Sequence, residues 1–305
     1  MMTLIVRRLI LAIPTLFIVV SLTFLLMRWA PGNPFSNERK IPPEILAELE
    51  KQYDLNGSVS SQYFRYMSKV VQGDLSISTQ YRNRTVNEIL AQALPVSVLL
   101  GGMAYLLALA IGIPLGAYAA VRQDRTADRL AMLIALLGLS VPSFVLAPLL
   151  VMLFGVKLHW LPVAGWGSPD QILLPVVCLA IPFAAAIARL TRGSLLDVLK
   201  LDFIRTARAK GLPEDEVLYR HALKIAILPL ISYSGPAIAG ILTGSLVIET
   251  LFDIPGIGRF FINSVLNRDP MMSAGVVLMF SAFLLFMNLV SDVLITLLDR
   301  RVKIE

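Results

Sequence analysis

The stretch 89–121, ILAQALPVSVLLGGMAYLLALAIGIPLGAYAAV, runs for 33 residues without an Asp, Glu, Lys or Arg. An α-helix needs about 20 mainly apolar residues to cross roughly 30 Å of hydrocarbon, so this stretch spans with residues to spare. Five further segments, 9–27, 130–156, 171–188, 225–248 and 270–291, are also free of charge. One such run could be a buried helix of a large soluble protein, but six in one chain point to a bilayer. Transmembrane β-strands would be shorter and would alternate in polarity, which these segments do not.

Together the six segments hold 143 of the 305 residues, so all 48 charged side chains fall in the other 162. Charged residues make up 16% of the chain, short of the roughly 25% that covers a soluble domain. A soluble enzyme, a disordered chain and a nucleic-acid binder are thereby excluded. The net charge of +6 does not revive the last, because the cations flank apolar spans and form no helix face. The first segment is followed by Arg28-Trp29-Ala30-Pro31 and has no small-residue cleavage site, so it reads as a retained span.

With the N-terminus inside, segments 1–8, 122–129, 189–224 and 299–305 hold 16 Lys and Arg in 59 residues. Segments 28–88, 157–170 and 249–269 hold 11 in 96. That bias fits the positive-inside rule and places both termini in the cytoplasm, with Trp29, Trp160 and Trp166 at or beyond outer span ends. The expected fold is an all-α integral membrane protein with six transmembrane helices and a folded external loop after the first. Cys178, the single cysteine, allows no internal disulfide and reads as a packing residue.

Two non-apolar stretches are long enough to have a task. The outer loop suggests helices from about Pro43 and over 60–71, and its 8 bases and 7 acids make it nearly neutral. The inner loop reads RLTRGSLLDVLKLDFIRTARAKGLPEDEVLYRHALK over 189–224. Asp202 can N-cap a short helix over 203–210, and Gly211 suits the left-handed residue that ends it. Pro213 with Glu214, Asp215 and Glu216 then starts a second helix. A loop this ordered reads as a docking element.

Catalytic chemistry is sparse. His159 and His221 fall on opposite sides of the membrane and cannot share a metal. There is no Gly-Lys dipeptide and hence no phosphate-cradling loop. Proton-coupled transporters usually carry ionisable groups at membrane depth; here the nearest are Glu249 and Asp292, each compatible with an interfacial end charge. Glycines and prolines inside the spans suit ordinary packing and equally a bundle that rearranges. Ser140, Ser143 and Asn288 are polar residues in spans that could line a pathway or bond within the bundle.

The inner loop resembles a known family. Arg205-Thr206-Ala207-Arg208-Ala209-Lys210-Gly211-Leu212-Pro213, followed by Tyr219-Arg220-His221-Ala222-Leu223-Lys224 and Leu228-Pro229, is similar to the EAA loop of binding-protein-dependent ABC importer permeases. The oligopeptide/dipeptide/nickel branch fits best, with Arg205-Thr206-Ala207 where other branches have Glu-Ala-Ala. Further agreement comes from Arg7-Arg8, Pro14-Thr15-Leu16, Ala30-Pro31-Gly32, Asp202-Phe203-Ile204, the run Val247 to Arg259, and Asn267-Arg268-Asp269. Asn33-Pro34-Phe35, Ile41-Pro42-Pro43-Glu44 and Ser232-Tyr233-Ser234-Gly235-Pro236 look most like the B-type permease subunit of an oligopeptide system. The last motif, Asp299-Arg300-Arg301, departs from the Asp-Pro more usual in peptide permeases.

The resemblance implies a type I ABC importer permease fold in a bacterial cytoplasmic (inner) membrane. It implies an N-terminal region over 1–93, with a first helix over 9–29 and an external loop over 30–93. A permease core follows over 94–293, with helices near 98–121, 132–155, 172–190, 226–249 and 274–297 and a coupling loop over 191–225; the tail is 294–305. Implied coupling residues are Asp202, Arg205, Thr206, Ala207, Arg208, Ala209, Lys210, Gly211, Leu212 and His221. Glu249, Pro255, Gly256 and Gly258 form a possible gate or outer-face motif. Implied partners are a second homologous permease, two cytoplasmic ATPase subunits or domains that bind ATP and Mg, an external peptide-binding protein and membrane lipid, with no nucleic acid and no cofactor in this chain. Dipeptides, glutathione or nickel are alternative cargoes. An ion-coupled transporter working alone is the competing class, and the uncharged spans argue against it.

Overall fold

The computed structural model describes residues 2–29, 56–81 and 83–298. The motifs at 30–35 and 299–301 and the helix expected from Pro43 lie outside the described residues. A bilayer offers no partner to a free backbone N–H or C=O, so charge-free segments must satisfy theirs within helices. They do so in α1 (Met2–Trp29), α3 (Val86–Val121), α4 (Thr126–Ser140), α5 (Ser143–Leu150), α6 (Pro169–Val198), α8 (Leu228–Leu251) and α10 (Pro270–Leu298). Shorter helices are α2 (Val59–Val71), α7 (Asp202–Ala209) and α9 (Ile257–Leu266).

Five helices are long and apolar enough to cross a membrane, and α4 with the segment Ser143–Lys157 makes a sixth, broken candidate. A single straight helix over 132–155 is therefore not what forms: the two pieces meet at 101°. Val141, held extended at φ −89° and ψ 116°, precedes Pro142, whose ring disfavours helical geometry in the residue before it. Beyond α5 the chain widens into a π-helical stretch, Val151–Lys157.

Other helices exceed the apolar segments because caps lie outside them. α3 starts at Val86, well before 98, where Thr85 Oγ1 accepts from the Glu88 N–H and Glu88 Oε2 from the Thr85 N–H, each at 3.2 Å. Ser168 and Gln171 form the matching box before α6, with Pro169 at its first position. α6 continues to Val198, so the first part of the expected loop 191–225 is helical.

α3 and α6 form the central pair. Small residues allow them close: a Cβ on Gly112 would lie 2.7 Å from the Ala184 carbonyl oxygen, and one on Gly116 2.7 Å from Thr191 Cβ. Leu100, Ala104 and Ala108 of α3 share a core with Leu179, Ala184 and Ile187 of α6 and with Ile241 and Ile248 of α8. α1 is peripheral and lies along α10. Val20 is the one described α1 side chain classed as buried, and Arg8 Nε lies 2.8 Å from Asp292 Oδ2.

The two ends of the bundle differ. The basic end carries Arg7, Arg8, 122–129 and 189–224; the far end carries 249–269. At the basic end Asp128, 2% exposed, accepts from Arg192 Nε at 2.6 Å and Nη2 at 2.7 Å, and from the Asp124 N–H at 3.0 Å. This two-toothed pair ties the start of α4 to α6. Arg192 keeps partial access to water, so Asp128→Ala loses the charged hydrogen bonds without stranding a dry charge and is expected to cost about 1–3 kcal/mol, read as a lowered melting temperature in detergent. Combining it with Arg192→Leu should recover part of the loss; strict additivity of the two would show that they are not coupled.

Candidate coupling loop and far-end clamp

α7 protrudes at the basic end. Leu201, extended at φ −72° and ψ 150°, is its N-cap, so Asp202 is not the cap but the first helical residue. The extended turn is already complete at Leu201. The Asp202 carboxylate reaches Arg205 at 3.4 Å, and its carbonyl accepts from Thr206 Oγ1 at 2.9 Å. Ile204 and Ala207, three residues apart on one helix face, are buried against Leu195 and Val198 of α6, Ala117 and Ala120 of α3, and Val217, Ala222 and Ala226. Asp202, Arg205, Thr206 and Ala209 share another face and are exposed, as are Arg208 and Lys210.

The helix ends on a Schellman turn. The Leu212 N–H donates to the Ala207 carbonyl at 3.4 Å and the Gly211 N–H to Arg208 at 2.9 Å. Gly211 has φ +77°, and a Cβ there would touch nothing within 4 Å. What makes glycine fit is backbone conformation alone. Arg208 Nε and Nη2 cross the turn to Glu214 at 2.8 and 3.1 Å. Pro213 caps the next helical turn, Glu214–Glu216, from just outside it, and a π-helical segment, Val217–Ala222, then carries His221, half-buried.

At the far end Glu249 is not an interfacial charge, since it is 0% exposed. Gly256 begins α9, leaving the Ile257 and Gly258 N–H groups as orphan donors. Ser97 Oγ of α3 takes the first at 2.9 Å and Glu249 Oε2 of α8 the second at 2.7 Å. Ser245 Oγ donates to Glu249 Oε1 at 2.8 Å. Two spans thus cap one short helix. A Cβ on Gly256 would come 2.6 Å from Glu249 Cδ and 2.7 Å from Ser97 Oγ, whereas Pro255 is exposed.

A second buried carboxylate, Asp269, works alongside. Its Oδ1 accepts from the Met272 N–H at 3.1 Å, capping α10, while Oδ2 accepts from Ser78 Oγ and from the Gln80 N–H at 3.3 Å. The segment before α3 is thereby pinned to the α9–α10 turn.

The polar span residues do not converge. Ser140 and Ser143 flank the break between α4 and α5, and Ser140 Oγ donates to its own helix at Leu136 O, 2.7 Å away. Asn288 sits on α10 where a Cβ on Gly235 of α8 would lie 2.6 Å from its Oδ1, at a helix crossing. Sequence reading missed Ser97, the Asp128–Arg192 pair and the role of Asp269. Asp269-Pro270 before an apolar run is a legible helix start, while nothing local marks Ser97. Among the described residues no three His, Cys, Asp or Glu side chains are placed to hold a metal.

The comparisons agree with this architecture. A family profile described as "Binding-protein-dependent transport system inner membrane component" matches residues 112–304. Its N-terminal counterpart, "Binding-prot-dependent transport system membrane comp, N-term", matches 1–101. The oligopeptide transport system permease protein OppB of Salmonella typhimurium (strain LT2) is 47% identical over 305 residues, covering 99% of this chain and 100% of the relative. The dipeptide transport system permease protein DppB of Bacillus subtilis (strain 168) is 40% identical over 291 residues, covering 95% and 94%. A chain of the inward-facing MetNI methionine ABC transporter shares the fold, with TM-score 0.60 and 16% identity, over 70% of this chain and 97% of that one. The chain belongs to the family of inner-membrane components of binding-protein-dependent transport systems.

Proposed function

We propose that the chain is one permease subunit of an ATP-driven importer that carries oligopeptides from an external binding protein across the inner membrane. The observation that carries this reading is the end-to-end likeness to an oligopeptide permease. The likeness to a dipeptide permease supports shorter peptides as the second reading; the ligand held by the co-purifying binding protein separates the two. In this reading residues 94–293 form the permease core, with 1–93 added outside it, and the basic end faces the cytoplasm.

The proposed partners are a second, homologous permease, two ATPases and the binding protein. α7 is the docking helix for an ATPase: its exposed face of Asp202, Arg205, Thr206 and Ala209 is presented on a buried Ile204–Ala207 anchor. Glu249, Pro255, Gly256 and Gly258 belong to the external face in this reading, beside the route that cargo enters. Ser140, Ser143 and Asn288 are kept as candidate pathway residues, with Asn288 the weakest because of its seat on Gly235.

Two outcomes test these assignments. Gly211→Pro, which cannot adopt φ +77°, is expected to cut ATP-driven peptide uptake about ten-fold or more while the chain stays in the membrane. Reversing Arg205 and Arg208 to Glu should weaken ATPase co-purification. Normal uptake and normal co-purification in these variants would reject the docking role. For the far end, Glu249→Ala strands a buried N–H donor and should cost about 1–3 kcal/mol. Hydrogen exchange at the Gly258 amide should accelerate in Glu249→Ala and much less in Glu249→Gln; unchanged exchange would show that the carboxyl does not hold α9.

A further inference from the structure

At the basic end, between the last turns of α6 and the first turn of α8, lies an open groove of about 610 Å³. That volume falls within the roughly 300–1,000 Å³ of small-molecule sites. Arg189, Gly193, Ser194 and Asp197 line it from α6, and Ile225 and Pro229 from the α8 side. Leu201, the N-cap of α7, lines it as well. The groove therefore lies between the helix that leads into α7 and the helix that follows it.

Its charges are spaced in a way that points to an occupant. Arg189, Gly193 and Asp197 recur every four residues, so they share one face of α6, and all three are exposed. Arg189 ends the charge-free run 171–188, and among the described residues its guanidinium makes no ion pair or hydrogen bond. Asp197 is paired only with Lys200, at 3.8 Å on the surface, a contact of little worth in water. A rise of 1.5 Å per residue sets Arg189 and Asp197 about 12 Å apart along the helix. About three or four extended residues, at roughly 3.3–3.6 Å each, cover that span. A short peptide carries opposite charges at its two ends, in the same arrangement as this base and this acid.

The wall between the two charges is bare backbone. A Cβ on Gly193 would meet no atom within 4 Å, so packing does not require glycine there, although glycine weakens a helix interior. The missing side chain leaves room against α6. Above Pro229 the same exposed face of α8 carries Ser232, Pro236, Gly240 and Thr243, whereas α1 and α4 expose large apolar groups such as Ile13, Phe17 and Ile134. A Cβ on Gly240 would lie 3.3 Å from Phe183 Cζ of α6, so α6 and α8 stay side by side from there down to the groove.

We propose, on the importer reading, that this groove holds the peptide cargo as it leaves the bundle, with the cargo carboxylate on Arg189 and its amino end toward Asp197. A guanidinium suits a carboxylate because it can donate two parallel hydrogen bonds to it. The groove lies beside the root of α7, so a displacement of α7 acts on the walls that hold the cargo.

The test uses the intact transporter in proteoliposomes, with its binding protein and a peptide that carries a benzophenone group. Light-induced cross-links mapped by mass spectrometry are expected within 189–201 and 225–229 and should be competed away by unlabelled peptide. In uptake of the same peptide without the label, Arg189→Gln is expected to lower the rate about ten-fold, the loss of one charge-assisted contact. Arg189→Lys should keep most of the rate, and ATPase co-purification should be unchanged in both. Gly193→Trp, which enters open space, should leave the melting temperature in place, abolish the cross-links and slow uptake. Cross-links confined to other segments, or not competed by peptide, overturn the proposal. So does an uptake rate equal to wild type in Arg189→Gln, or an equal loss in Arg189→Gln and Arg189→Lys. If Gly193→Trp does not assemble, the cross-link map and the Arg189 pair still decide. Absence of ATP-driven uptake in the wild type would instead reject the importer reading itself.

Discussion

Everything in this chain answers to one constraint: in hydrocarbon no backbone amide or carbonyl can turn to water. Helices satisfy that demand within themselves, but they then face one another as apolar cylinders with no aqueous hydrophobic drive between them. Shape has to do the joining. α3 and α6 meet through Gly112 and Gly116, and α8 and α10 through Gly235 beneath Asn288. Orientation is fixed where the helices end, by polar side chains that cap exposed turns. Asp128 with Arg192 does this at the basic end, and Glu249 with Ser97 and Asp269 with Ser78 at the far end.

Much of this could be read in advance. The apolar segments locate the spans, and the Gly211 turn appears with the left-handed φ that its sequence context implies. The broken second span was harder to read for a definite reason. Pro14, Pro95, Pro114, Pro175, Pro182 and Pro236 all sit inside continuous long helices, so proline alone does not mark a bend. What differs at Pro142 is that Val141 leaves helical geometry altogether, and that depends on what α5 packs against. Glu249 was visible as an acid beside an apolar run, yet whether it met water or Gly258 is decided by Ser97, 152 positions away in the chain. Contacts over such separations leave no local signature.

The same layout decides how a displacement applied at the basic end would spread through the bundle. α7 is too short to hold itself together in water, since isolated helices under about 12–15 residues are marginal. Ile204 and Ala207 root it in the ends of α3 and α6. Those two helices are the central pair, interlocked at glycine distance and tied to α4 through Asp128 and Arg192. A displacement of α7 therefore passes first into the most tightly packed part of the bundle. The far end is held separately by two buried carboxylates, Glu249 and Asp269, while the second span is broken at Val141 and Pro142, with Leu137, Leu139 and Phe144 exposed beside the break.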